Sequence, residues 1–149
     1  MAIERPNKNP YSAFNFVVEI NGEQIAAFQE VSGLDSENKP IEYREGADAM
    51  NTIRKLPGIE SYPSVVLSRG ITGSTALWDW RKEVRDGGTT FPPTRDVTIK
   101  LLDEQHQPVL KWKLTNAWCT KLSGPSLNAK GNEIAVEKME LAHDRIDIE

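Results

Sequence analysis

A small, mainly antiparallel β domain carrying one packed helix is what this chain of 149 residues predicts. Three observations carry that expectation. Apolar and polar residues alternate one by one over several short stretches, the period of strands with one buried face. Only one stretch repeats its apolar residues at helical spacing. Turn formers such as Asn21-Gly22, Gly70, Gly87-Gly88 and Gly124-Pro125 separate the stretches. With 38% apolar residues the length suits one domain over 1–149, a β-barrel or a sandwich.

Residues 1–12 are polar, hold two prolines and read as an extended arm. Strict alternation then begins, with Phe14, Phe16, Val18 and Ile20 on one face and Asn15, Val17 and Glu19 on the other. Asn21-Gly22 predicts a type I′ turn, because both residues tolerate positive φ. A return strand is expected over 24–31, ending at Ser32-Gly33. Residues 35–62 mix dense charge with isolated Ile41, Tyr43, Ile53 and Leu56. A structureless loop of that length is uncommon in a compact domain, so a second hairpin (about 40–46 and 51–57) is expected to project from the body.

A short strand follows over 64–68. The helix comes next, over about 74–86, with Ser74 as its cap and Leu77, Trp80 and Val84 as its buried stripe. Trp78 flanks that stripe, and Gly87-Gly88 supplies the stop. Asp79, Lys82, Glu83 and Asp86 fall on the outer side. After Phe91-Pro92-Pro93 come strands over 97–101 and 109–118, joined by a polar turn near 103–107. In the second of these Leu110, Trp112, Leu114 and Trp118 share a parity, and Lys111 and Lys113 take the other. A final strand over 132–142 is expected to carry a bulge near Glu137, where Ile134 and Val136 fall out of step with Met139 and Leu141.

Composition excludes several kinds of chemistry. A net charge of −4 and a pI near 5.3, with scattered Lys and Arg, give no basic field for sequence-reading of nucleic acid. The single cysteine, Cys119, sits in an apolar run and reads as a buried small residue. His106 and His143 are isolated and read as surface residues, so no metal set forms. Gly70-Ile71-Thr72-Gly73-Ser74 lacks the closing glycine of a nucleophile elbow and the Gly-Lys-Ser/Thr of a phosphate loop. No catalytic residue, cofactor or metal is expected. The N-terminus has no apolar core of a signal peptide, and no stretch approaches the roughly 18 apolar residues of a membrane helix. Synthesis in the cytosol without membrane insertion is expected.

The segments just read, Phe14–Ile20, Phe28-Gln29-Glu30-Val31-Ser32-Gly33-Leu34, Ile41-Glu42-Tyr43-Arg44-Glu45-Gly46 and Lys55-Leu56-Pro57-Gly58, resemble the tail-tube family of contractile bacteriophages and related contractile injection systems. Val66-Leu67-Ser68-Arg69-Gly70, the helix with Leu77 and Trp80, Trp112, Trp118, Gly124-Pro125 and Glu137–Leu141 follow in the same order. The resemblance implies a barrel subunit that joins others into stacked six-membered rings, forming a hollow conduit inside a contractile sheath. Partners implied are further copies of the chain, the sheath protein, baseplate, spike and terminator proteins, and a cargo of protein effector or DNA. It implies assembly in the bacterial cytoplasm. Ile41, Tyr43, Arg44, Glu45, Ile53, Arg54, Lys55 and Leu56 are then the expected ring-stacking contacts. Asn15, Val17 and Glu19 are the expected lumen lining, with one carboxylate per subunit, and Asp79, Lys82, Glu83 and Asp86 the expected sheath contacts. A tube that passes DNA calls for an acidic lumen, whereas this chain is only mildly acidic, which leans the expectation toward an injection system. The rival expectations are a monomeric carbohydrate-binding-like module using Trp78 or Trp118, and an enzyme.

Overall fold

In the computed structural model, which describes residues 9–25, 28–47, 52–87 and 94–149, β1 (Phe16–Ile20) alternates as its sequence dictates. Val18 and Ile20 are buried and Phe16 packs on the same core. Phe14 departs from the expectation: it lies in a turn before the strand and is 74% exposed. Asn21 and Gly22 have φ of 52° and 82°, the left-handed pair that a type I′ turn requires. β2 (Glu23–Ile25) returns antiparallel, with Glu23 opposite Ile20. The return strand does not run unbroken to 31, since Phe28 and Gln29 are not in a strand. Residues 26 and 27 lie outside the described residues, and β3 (Glu30–Ser32) pairs elsewhere. Of the expected arm, residues 1–8 also fall outside them, as do Gly88 and Phe91-Pro92-Pro93.

The projecting hairpin is present as β4 (Glu37–Tyr43) and β5 (Arg54–Ser61), each reaching further toward the body than the sequence suggests. The pair forms a two-stranded sheet of its own. Gly58 is needed there because a Cβ would strike the backbone carbonyl oxygen of Lys39.

β6 (Val65–Gly70) pairs with β3 on one side, Val31 opposite Leu67. The helix α1 (Ala76–Asp86) buries Leu77 and Trp80, and Val84 packs on the core. Its N-cap is Thr75 instead of Ser74, and neither hydroxyl makes a close cap. Thr75 makes no capping bond, and Ser74 Oγ accepts from Ala76 N at a long 3.5 Å. Gly87 ends the helix in the left-handed conformation, its N–H donating to the Glu83 carbonyl.

β7 (Arg95–Leu102) lies between β1 and β8 (Pro108–Ser123), a 16-residue strand longer than its sequence pattern suggested. The parity of β8 changes within it. Leu114 is buried, but Asn116 takes φ 53° and the register with β7 slips, so Ala117 and Cys119 turn inward. Trp118 is consequently 39% exposed and leaves the apolar face assigned to it. β9 (Val136–Ala142) and β10 (Arg145–Ile148) run antiparallel to β8 one after the other. The expected bulge near Glu137 is absent, because β6 and β9 stay in register from Val65 opposite Leu141 to Gly70 opposite Val136. Ile134 lies outside the strand and is exposed, so its parity carries no weight.

Strands follow one another as β2-β1-β7-β8-β9-β6-β3, with β10 added to β8. The first half of β8 serves one sheet, with β2, β1, β7 and β10. Its second half serves the other, with β9, β6 and β3. Both sheets contribute to one core, where Val18, Ile99 and Leu114 meet Leu67, Met139 and Leu141. Among the described residues β2 and β3, the two ends of the path, do not pair, so the sheet is open and not the closed barrel the sequence allowed.

Candidate assembly interface

The hairpin β4–β5 exposes every residue of β4 and most of β5. Ile41 stands opposite Leu56 and Tyr43 opposite Arg54, so these four side chains share a face, while the Glu42–Lys55 pair occupies the reverse one. Its polar groups hold the hairpin itself: Asn38 Nδ2 donates to Gly58 O at 3.1 Å, Tyr43 Oη to Glu45 Oε1 at 3.0 Å. Arg44, Glu45 and Ile53 flank the strand ends toward the tip. Ile41, Tyr43, Ile53 and Leu56 remain exposed, and Ile59, which the sequence reading passed over, is 87% exposed. Ile59 follows Gly58 and could have been found by the same rule, an isolated apolar residue in a charged stretch.

The outward face of the β1 sheet is built differently. Asn15 precedes β1 and its carbonyl accepts from Leu102 N at 2.9 Å, and Val17 and Glu19 follow on the face away from the core. Glu19 is not the lone carboxylate its own strand suggested. Lys100 of β7 donates Nζ to its Oε1 at 2.6 Å. Lys111 and Lys113 of β8 continue the same face, beside Lys100 and Thr98, and Arg145 and Asp147 of β10 complete it with a 2.9 Å pair.

On α1, Asp79 accepts from Thr75 Oγ1 at 3.2 Å, and Lys82 is exposed. Glu83 is half-buried and paired with Arg95 at 2.9 Å, whose guanidinium lies 4.9 Å from the Trp80 ring. It is therefore tied to the subunit body. Asp86 pairs with Arg85 at 2.9 Å, which holds its carboxyl below the usual range, and Arg85 lies 5.8 Å from the exposed Trp78 ring. The outer helix surface thus presents Trp78, Asp79, Lys82, Arg85 and Asp86.

Among the described residues no group of His, Cys, Asp or Glu could hold a metal ion, and no helix is long and apolar enough to cross a membrane. His106 occupies the expected turn with φ 61°. His143 is not the surface residue expected; it is half-buried, 5.5 Å from the Tyr62 ring. Cys119 is buried, and burial pushes its thiol pKa up. A pocket of about 250 Å³ lies in the loop 126–135, lined by Leu127, Asn128 and Glu133 among others, and neither Trp78 nor Trp118 lines it.

The sequence profile of the T4-like virus tail tube protein gp19 family matches residues 12–147. No curated protein sequence matches. Among solved structures, a chain of the extracellular contractile injection system PVC sheath-tube complex in the extended state is 32% identical. It superposes with a TM-score of 0.82, covering 94% of this chain and 91% of its own. A chain of the anti-feeding prophage cap, its tube terminating cap, is 33% identical with a TM-score of 0.83, covering 95% and 91%. Hcp1 from Flavobacterium johnsoniae, 13% identical with a TM-score of 0.55 over 91% and 94%, shares the fold.

Proposed function

The chain belongs to the T4-like tail tube family, a tube protein of contractile injection systems and phage tails, and we propose that it works by assembly, without catalysis. The tube stacks its rings through the hairpin β4–β5. Further copies of the chain, the sheath, baseplate and spike, and a terminating cap are its partners, and assembly takes place in the bacterial cytoplasm. The carrying observation is that hairpin: a separate two-stranded sheet with Ile41, Tyr43, Ile53, Leu56 and Ile59 all exposed. An isolated hairpin is marginal in water, and apolar side chains on both its strands call for a covering surface. A second copy supplies one, since a contact repeated along an axis builds a filament.

The sheet face bearing Asn15, Val17 and Glu19 lines the lumen in this reading. Its support is composition: that face is polar, whereas the exposed apolar residues gather on the hairpin, on Trp78 and Trp118, and at Ile71, Leu127 and Ile134, while Phe14 and Ile148, at the margins of the same sheet, take the opposite parity. The outer helix residues Asp79, Lys82 and Asp86, with Trp78 and Arg85 beside them, face the sheath, and Glu83 supports them from below. Replacing Arg44 and Arg54 together by glutamate tests the stacking role. The variant is expected to melt as the wild type does and to form rings without long tubes. Tubes of ordinary length by electron microscopy would remove the hairpin from the ring-to-ring contact.

A further inference from the structure

We infer that the conduit wall is charge-balanced and fits a polypeptide cargo of either net charge instead of a nucleic acid; the inference rests on the lumen placement just proposed. Four cations lie on the outward face of the β1 sheet: Lys100, Lys111, Lys113 and Arg145. Four carboxylates share it: Glu19, Asp96, Asp147 and Glu149. They are interleaved. Glu19 is held by Lys100 at 2.6 Å and Asp147 by Arg145 at 2.9 Å. Asp147 stands across from Lys113, and Glu149 exchanges both backbone hydrogen bonds with Lys111, which sets those two side chains side by side.

A wall of alternating signs produces little field beyond the nearest neighbours, and salt screens what remains. Folded protein surfaces carry both signs, so such a wall neither holds nor repels them strongly. A polyanion meets something else: Lys111 and Lys113 have no ion-pair partner among the described residues, and each can take a phosphate with release of a counterion. A passage for fast-moving DNA is better served by carboxylates alone. A resting site for single strands needs aromatic platforms, and the strand positions of this face, from Val17 and Glu19 through Thr98 and Lys100 to Lys111 and Lys113, carry none. Lys100 is the specificity-determining residue, because its loss would uncover one Glu19 carboxylate per subunit all around each ring.

The test uses assembled tubes at low ionic strength. Fluorescent Glu/Gly and Lys/Gly peptides narrow enough to enter, a short single-stranded DNA, and dendrimer-bound forms of both peptides too wide for the bore are co-sedimented with them. Wild-type tubes are expected to retain the two free peptides within about twofold of each other. Lys100→Gln should shift the ratio about tenfold toward the cationic peptide, Glu19→Gln the opposite way, and the exchanged pair Glu19→Lys with Lys100→Glu should restore parity. The exchanged pair also serves if either single variant fails to assemble. A wild-type preference for one peptide as large as that of the variants, or DNA held no more than the two peptides, overturns the inference. If the wide probes show the same shifts as the narrow ones, the pair lies on the outer wall and it is the lumen placement that fails.

Discussion

Arg69 lies on the core face of β6 between Leu67 and the end of the strand, only 1% exposed, with Glu137 of β9 directly across from it. Its Nε donates to Glu137 Oε1 at 2.5 Å and one terminal nitrogen to the Ser74 carbonyl at 3.0 Å, so a buried guanidinium ties two strands to the segment that enters the helix. The other terminal nitrogen has no hydrogen-bond partner. A buried charge of this kind stabilises only while its counter-ion is present, and well-packed apolar residues often replace such a pair without loss. Arg69→Met alone is therefore expected to cost roughly 3 kcal/mol, by leaving the mostly buried Glu137 carboxylate uncompensated. Adding Glu137→Leu should recover most of that loss. Equal denaturation midpoints for the single variant and the wild type would show that the pair contributes nothing. The signal in the sequence is parity: Val65, Leu67 and Arg69 share a face, as do Glu137, Met139 and Leu141. Alternation reports that an arginine occupies an inward position, but arginines are so rarely buried that the pattern is read as having ended there.

Among the elements, those governed by local rules were legible and those governed by neighbouring strands were not. Asn21-Gly22, the stripe Leu77, Trp80, Val84 and the stop at Gly87 each follow from one or two residues. The hairpin over 37–61 was legible as a charged stretch interrupted by isolated Ile and Leu, although its reach toward the body was not. Of the proposed site, the hairpin residues could be named from sequence, whereas the partner of Glu19 lies 81 positions along the chain, beyond any local pattern. β8 shows the limit most clearly. Leu110, Trp112, Leu114 and Trp118 keep one parity in sequence, but the strand must leave one sheet and enter the other, and Asn116 in the left-handed region turns it. Asparagine tolerates that conformation, and Nδ2 of Asn116 is anchored to Asp144 Oδ2 at 3.0 Å. Asn116→Gly should change stability by less than about 1 kcal/mol, while Asn116→Val, a β-branched residue at positive φ, should cost about 2 kcal/mol. A valine variant as stable as the glycine one in urea would mean that the bulge does not constrain the fold.

For the whole molecule the decisive property is that its sheets are left open. The sheet holding β1 ends at β2 on one side and β10 on the other, and among the described residues no strand pairs with either outer edge. Open edges invite pairing with another chain, and in the proposed ring β2 of one subunit would lie beside β10 of the next. In a two-residue hairpin the residues flanking the turn are hydrogen-bonded to each other, so Glu23 spends its N–H on Ile20. Gln24, one position on and opposite Glu19, then points its N–H away from β1, toward the neighbour. Proline is tolerated on an edge strand where the lost donor faces outward. Gln24→Pro is accordingly expected to leave the subunit folded, with a melting temperature within a few degrees of wild type, and to prevent ring closure in size-exclusion chromatography with light scattering. Glu23→Pro removes an internal donor instead and should cost about 1 kcal/mol or more of subunit stability. Rings formed by Gln24→Pro as readily as by the wild type would show that the β2 edge is not the seam, and that the subunits meet through their side-chain surfaces alone.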